Sequence, residues 1–216
     1  MTTPVPAPPS SPRSALLVID VQNDFMPGGR LAVTDGDAVV PLINRLGSLF
    51  THIVVTQDWH PADHISFASQ HEGRAPFSTI TLPYGAQTLW PDHCVQASAG
   101  AALHADLDLP QTQLIIRKGC NRTIDSYSAF VEADRQTRTG LAGYLRERGI
   151  DTVYACGLAL DFCVAWSALD ARAAGFATAV IDDACRAIDL DGSCARAWQQ
   201  MTEAGVQRLR SAALLG

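Results

Sequence analysis

The chain has 216 residues, 47% of them hydrophobic, enough for one sizeable core and better suited to a single large domain than to two. Its 16 Lys and Arg against 22 Asp and Glu leave a formal net charge of −6 with no basic run, which argues against nucleic-acid or polybasic membrane partners and favours a small or neutral ligand. No stretch has the apolar length of a membrane span.

Residues 1–13 carry five of the twelve prolines and have neither the basic start nor the apolar middle of a signal peptide. They are expected to form a disordered tail ahead of one domain over 14–216, in a cytoplasmic protein. Short apolar runs then follow at 15–20 (ALLVID), 52–57 (HIVVTQ), 113–118 (QLIIRK), 152–157 (TVYACG), 178–183 (TAVIDD) and 206–209 (VQRL). Most are apolar on consecutive positions, as in parallel strands covered on both faces. Between them lie helical stretches at 37–50, 139–149, 161–175 and 191–205, the last two opening on Asp and closing on Gly. This alternation predicts a single-domain α/β fold, doubly wound, in three layers α/β/α around a mostly parallel sheet of about six strands. Residues 58–112 break the regularity. They are rich in His, Pro, Gly, Ser and Asp, and long irregular connections of this kind are often functional.

Ligands of open α/β sheets bind beyond the carboxyl ends of the strands. There the chain places Asp20, Asp58, Lys118 and, after a glycine turn, Cys163. A helix start and a nearby cation both favour a thiolate, so Cys163 reads as a nucleophile, Lys118 as its cation and Asp20 as a general acid–base. Taken singly, each residue has a plainer reading: a packed core cysteine, a solvated lysine, a turn aspartate. The six cysteines (Cys94, Cys120, Cys156, Cys163, Cys185, Cys194) include no CxxC pair and are expected to be free thiols.

A second constellation is DWHPADH, residues 58–64. Asp58 and His60 flank Trp59 and project to one side of an extended segment. With His64, His71 and His93 nearby in sequence, an Asp/His set suited to zinc, iron or manganese is available. Trp90, three residues before His93, could wall a pocket for a flat ligand.

Together VIDVQNDFMPGG, TQDWHPADHISFAS, WPDHC, KG…DSYSAF and CGLALDFCV resemble the nicotinamidase/pyrazinamidase branch of the isochorismatase-like cysteine hydrolases, over roughly residues 14–210. The resemblance implies hydrolysis of nicotinamide to nicotinate and ammonia in NAD salvage, with pyrazinamide as an analogue. It implies Asp20, Lys118 and Cys163 as a catalytic triad, and one divalent metal ion on Asp58, His60 and His93, zinc foremost and iron or manganese also compatible. His64 is a further candidate ligand. It also implies a cis peptide at Leu158–Ala159, an oxyanion hole from the N–H groups of Ala159 and Cys163, and a substrate pocket from Phe25, Trp90, Tyr127 and Leu158. Phe162 stands where some members carry His. Homo-oligomerisation stays open. Two alternatives are another cysteine amidase of the superfamily acting on a carbamoyl or ureido group, and a non-catalytic nicotinamide-binding module.

Overall fold

The computed structural model describes residues 7–216. Its centre is a six-stranded sheet of β1 (Ser14–Ile19), β2 (His52–Asp58), β5 (Thr112–Lys118), β6 (Thr152–Leu158), β7 (Ala177–Arg186) and β8 (Gln207–Leu209), in the order β5-β2-β1-β6-β7-β8. All five pairings are parallel. The expected α/β class is therefore observed. β1 and β6 are buried along their whole length, which is why they are apolar at consecutive positions. β5 is different: as an edge strand it exposes Gln113, Ile115 and Arg117 on alternate positions.

Helices α1 (Val40–Gly47), α2 (Leu141–Glu147), α3 (Ala165–Ala173), α4 (Ser193–Glu203) and the short α5 (Ala212–Leu215) fill the connections. α1 buries Val40, Ile43 and Leu46, three-apart positions that share one helix face. Its Pro41 sits in the first turn, where no hydrogen bond is lost. From β1 the chain winds outward through β2 to β5, then returns to β6 and winds the other way. The order thus reverses between β1 and β6. With right-handed crossovers this covers both faces of the sheet and opens a crevice at the β1/β6 carboxyl ends.

Two features depart from expectation. The irregular 58–112 segment contains a small hairpin, β3 (Thr79–Leu82) with β4 (Gly85–Thr88), paired antiparallel. Residues 7–13 of the expected tail are tied down: Tyr154 Oη donates to Ala7 O at 2.7 Å and Ser14 Oγ to Pro8 O at 2.8 Å. Residues 1–6 lie outside the described residues. Among the described residues no helix is long and apolar enough to cross a membrane.

β1 and β6 approach closely at Gly157. A Cβ there would lie 2.1 Å from Ile19 O, and the residue has φ +115°, which side-chain-bearing residues rarely adopt. Gly157→Ala is expected to lower the unfolding free energy by at least about 3 kcal/mol in denaturant titration. A loss within about 0.5 kcal/mol, typical of a neutral surface change, would contradict this packing.

Candidate active site

The four strand ends meet around one buried cation. Lys118, the last residue of β5, is 2% exposed, and its ammonium lies at the centre of the cluster. Its Nζ donates to Asp58 Oδ1, to Ser126 O at 3.2 Å and to Cys163 Sγ at 3.3 Å, and lies 2.8 Å from Asp20 Oδ2. Asp20 follows β1 in a left-handed conformation, φ 50°, that aspartate tolerates better than most residues. Thr56 of β2 fixes it twice: Asp20 N donates to Thr56 Oγ1 at 3.1 Å, and that hydroxyl donates to Asp20 Oδ1 at 2.6 Å. Asp20 Oδ2 is out of line for a hydrogen bond with Lys118 and has no other hydrogen-bonding partner among the described residues. An Asp20 carboxylate oxygen lies within 4.8 Å of Cys163 Sγ, so a carboxylate stands near the thiol.

Cys163 sits in a π-helical turn (Leu160–Val164) ahead of α3, which follows the cis peptide Leu158–Ala159. Sequence periodicity predicts an ordinary helix from 161. The wider turn is invisible to it, because Val164 N reaches back five residues to Ala159 O.

One lysine faces two carboxylates in a dry site, and they share it unequally. Burial pushes Asp58 up, but Lys118 and then His60 outweigh it and hold the carboxyl well below its usual range. Asp20 goes the other way: burial raises it, the charge of Asp58 adds to that, and Lys118 only partly opposes it. Burial also drives the Cys163 thiol well above its ordinary value; Lys118 opposes this, and the charges of Asp20 and Asp58 add to it. Burial thus opposes the thiolate that the helix start and Lys118 favour, and the Asp20 carboxylate is placed to accept the proton, as the sequence reading expects.

Next to this cluster, Asp58, His60 and His93 bring one donor atom each to a common point, all three buried. Both histidine Nε2 atoms lie 3.7 Å from Asp58 Oδ2. Ligands about 2.1 Å from one ion lie roughly 3.4 Å apart across a tetrahedral angle, so this spacing suits a single divalent ion. The outer nitrogens agree: His60 Nδ1 is 3.0 Å from Gly119 O and His93 Nδ1 is 2.8 Å from Pro91 O, which leaves both Nε2 lone pairs facing inward. Gly119 is needed for this, since a Cβ there would lie 2.3 Å from His60 Cε1. Gln22 clamps Asp58, accepting from its N–H and donating to its C=O, both at 2.8 Å. His64 stands apart from the trio. It stacks beside His60 and groups with His60 and Asp125, its ring nitrogens engaged by Ser66 Oγ at 2.7 Å and Ile124 O at 3.3 Å. Burial and the neighbouring His60 lower it to about 4, so it is neutral at pH 7.

A small pocket opens over Cys163 and this trio. Phe25, Trp90, Tyr127 and Ala159 line it as expected. Leu158 does not: it is fully buried, with Cδ1 packed under Gly36. Leu31, Asp125, Phe162 and Ile188 complete the wall. Of these, Asp125 lies within the DSYSAF stretch, whereas nothing local in sequence marks Leu31 or Ile188. Trp90 Nε1 donates to Tyr127 Oη at 3.0 Å, holding two aromatic walls together.

Residues 14–213 match the isochorismatase domain. The chain belongs to this family. Within the isochorismatase-domain family it is 64% identical over 201 residues to the nicotinamidase of Acinetobacter baylyi, covering 93% of this chain and 94% of that protein. A solved Acinetobacter baumanii nicotinamidase/pyrazinamidase superposes with a TM-score of 0.94 at 60% identity, over 95% of this chain and 99% of the other. A Pyrococcus horikoshii pyrazinamidase solved with zinc gives 0.74 at 35% identity, over 92% and 99%.

Replacing Lys118 by Met leaves two buried carboxylates facing each other without a cation. Lys118→Met is expected to cost about 3–5 kcal/mol near neutral pH in chemical denaturation of the metal-free protein. In the variant both carboxyl pKa values lie above their unfolded values. The penalty is then full at neutral pH and shrinks as acid protonates one of them. A penalty that grows on acidification would contradict the assignment.

Proposed function

We propose that the protein is a metal-dependent cysteine amidohydrolase converting nicotinamide to nicotinate and ammonia, and that it also deamidates pyrazinamide. One observation carries the reading: Cys163 Sγ, 3.3 Å from Lys118 Nζ and within 4.8 Å of an Asp20 carboxylate oxygen, lines an aromatic-walled pocket shared with Asp58, His60 and His93. The nicotinamidase relatives supply the substrate class. Asp58, His60 and His93 would hold one divalent ion, zinc by analogy with the Pyrococcus horikoshii pyrazinamidase. When bound, the ion supplies a Lewis-acidic point beside the aromatic walls at which a pyridine nitrogen or water can be held.

Asp20 takes the proton from Cys163, and the thiolate attacks the carboxamide carbon. Lys118 offsets the charge on Asp20 as the proton moves. The backbone N–H groups of Ala159 and Cys163 receive the developing oxyanion in this reading. Asp20 then returns the proton to the leaving nitrogen, ammonia departs, and a thioester on Cys163 remains. Asp20 next takes a proton from water, whose oxygen attacks the thioester to give nicotinate and restore the thiol. The structural partner is thus a small molecule. The reading places the protein in the cytoplasm, as one domain over 14–216, with no nucleic-acid or membrane partner and self-association left to direct measurement. Carbamoyl and ureido amides are disfavoured because neither requires the Asp58–His60–His93 trio.

An ammonia-release assay with nicotinamide, pyrazinamide and a carbamoyl substrate in parallel tests the reading. Turnover is expected with the first two, and Cys163→Ala is expected to lose at least about 10⁴-fold in kcat while remaining folded. Near-normal activity in that variant, or release only from the carbamoyl compound, would sink the proposal. Chelation, verified by elemental analysis, or His60→Ala is expected to abolish productive nicotinamide binding without unfolding the chain. Full turnover by a demonstrably metal-free sample would overturn the ligand assignment.

A further inference from the structure

Asp161 lies two residues before Cys163 in the same turn and is buried, yet it takes no part in the chemistry above. It also makes no capping bond to its own helix. Its carboxylate is used wholly at long range: Oδ1 accepts from Ile188 N at 3.0 Å, and Oδ2 from Asp189 N at 2.8 Å and from Ser193 Oγ. These donors lie 27 to 32 residues along the chain, Ile188 and Asp189 in the connection between β7 and α4 and Ser193 at the start of α4. That connection does not hold its shape cheaply. Asp189 (φ 56°), Asp191 (φ 50°) and Gly192 (φ 78°) are all left-handed, two of them carrying side chains. Ile188, at its start, lines the pocket together with Phe162 and Cys163.

We infer that Asp161 is a positioning residue: its carboxylate fastens the nucleophile-bearing turn to the Ile188 wall and so sets the width of the slot that receives the aromatic ring. This rests on the nicotinamide reading above. Three donors on one carboxylate hold the wall at a fixed distance from Cys163, so a substrate ring is gripped in register with the sulfur. Loosening the wall weakens the grip on the ring more than it disturbs the Asp20–Lys118–Cys163 cluster, which is anchored independently through Thr56 and Ser126.

The test is steady-state ammonia release by the metal-loaded full chain with nicotinamide and a ring-methylated nicotinamide. Asp161→Asn is expected to raise KM for nicotinamide about tenfold with kcat within about threefold, and to narrow the preference over the methylated ring. Ile188→Ala is expected to act in the same direction, and the double variant to be no worse than the stronger single one, because both changes release the same wall. Additive losses, or a fall in kcat at unchanged KM, overturn the inference. Should Asp161→Asn fail to fold, Ser193→Ala, which removes one donor only, is expected to raise KM about threefold; an unchanged KM there also overturns it. Wild-type protein that releases no ammonia from nicotinamide fells the parent reading and this one with it. Active wild type alongside an unaltered Asp161→Asn fells this one alone.

Discussion

Everything at the site depends on a single ammonium held out of water between two carboxylates. Lys118 would be prohibitively placed without Asp20 and Asp58, and they without it. Because one positive charge cannot satisfy two negative ones equally, the pair is forced apart. Asp58 keeps its charge and turns its other oxygen toward the two histidines, while Asp20 becomes the weaker anion and hence the better proton acceptor. The metal-suited trio and Cys163 are thereby parts of one electrostatic unit, joined through the lysine, rather than neighbouring groups that happen to share a pocket.

The fold delivers these groups without long excursions. Asp20, Asp58 and Lys118 stand at or just past the ends of three adjacent parallel strands, and Cys163 one turn beyond a fourth, on the two sides of the point where the winding reverses. Two glycines make the convergence tight enough. Gly157 lets β6 lie against the β1 backbone, and Gly119 lets the imidazole of His60 rest where any side chain would collide. The irregular 58–112 segment supplies the rest of the rim, with the β3–β4 hairpin carrying Gln87, whose amide reaches Asp125 at 2.7 Å.

Much of this was legible in the sequence because it is written in local patterns. Buried parallel strands leave consecutive apolar residues, and polar residues at their ends stand out against them. Strand order is not local, so nothing in QLIIRK reveals that it is the sheet's edge and half exposed. Four-residue strands such as those of the hairpin are too short for a period to register. The π-helical turn at Cys163 uses residues that suit an α-helix equally well, and packing alone takes the anticipated Leu158 out of the pocket and brings the unanticipated Ile188 into its wall. The upward pull on the Cys163 thiol was beyond reach for a different reason. Lys118 and a helix start argue for a thiolate, and only the extent of burial and the nearness of two aspartates reverse the balance.

That reversal bears on how the protein survives its surroundings. Peroxides and electrophiles attack thiolates far faster than thiols, and they need access. Cys163 is buried with its thiol held upward from its ordinary value, whereas Cys120 is exposed to solvent. Oxidants meeting the molecule therefore reach the sulfur of Cys120 more readily than that of Cys163. The burial that makes Cys163 slow to ionise thus also shields it from damage.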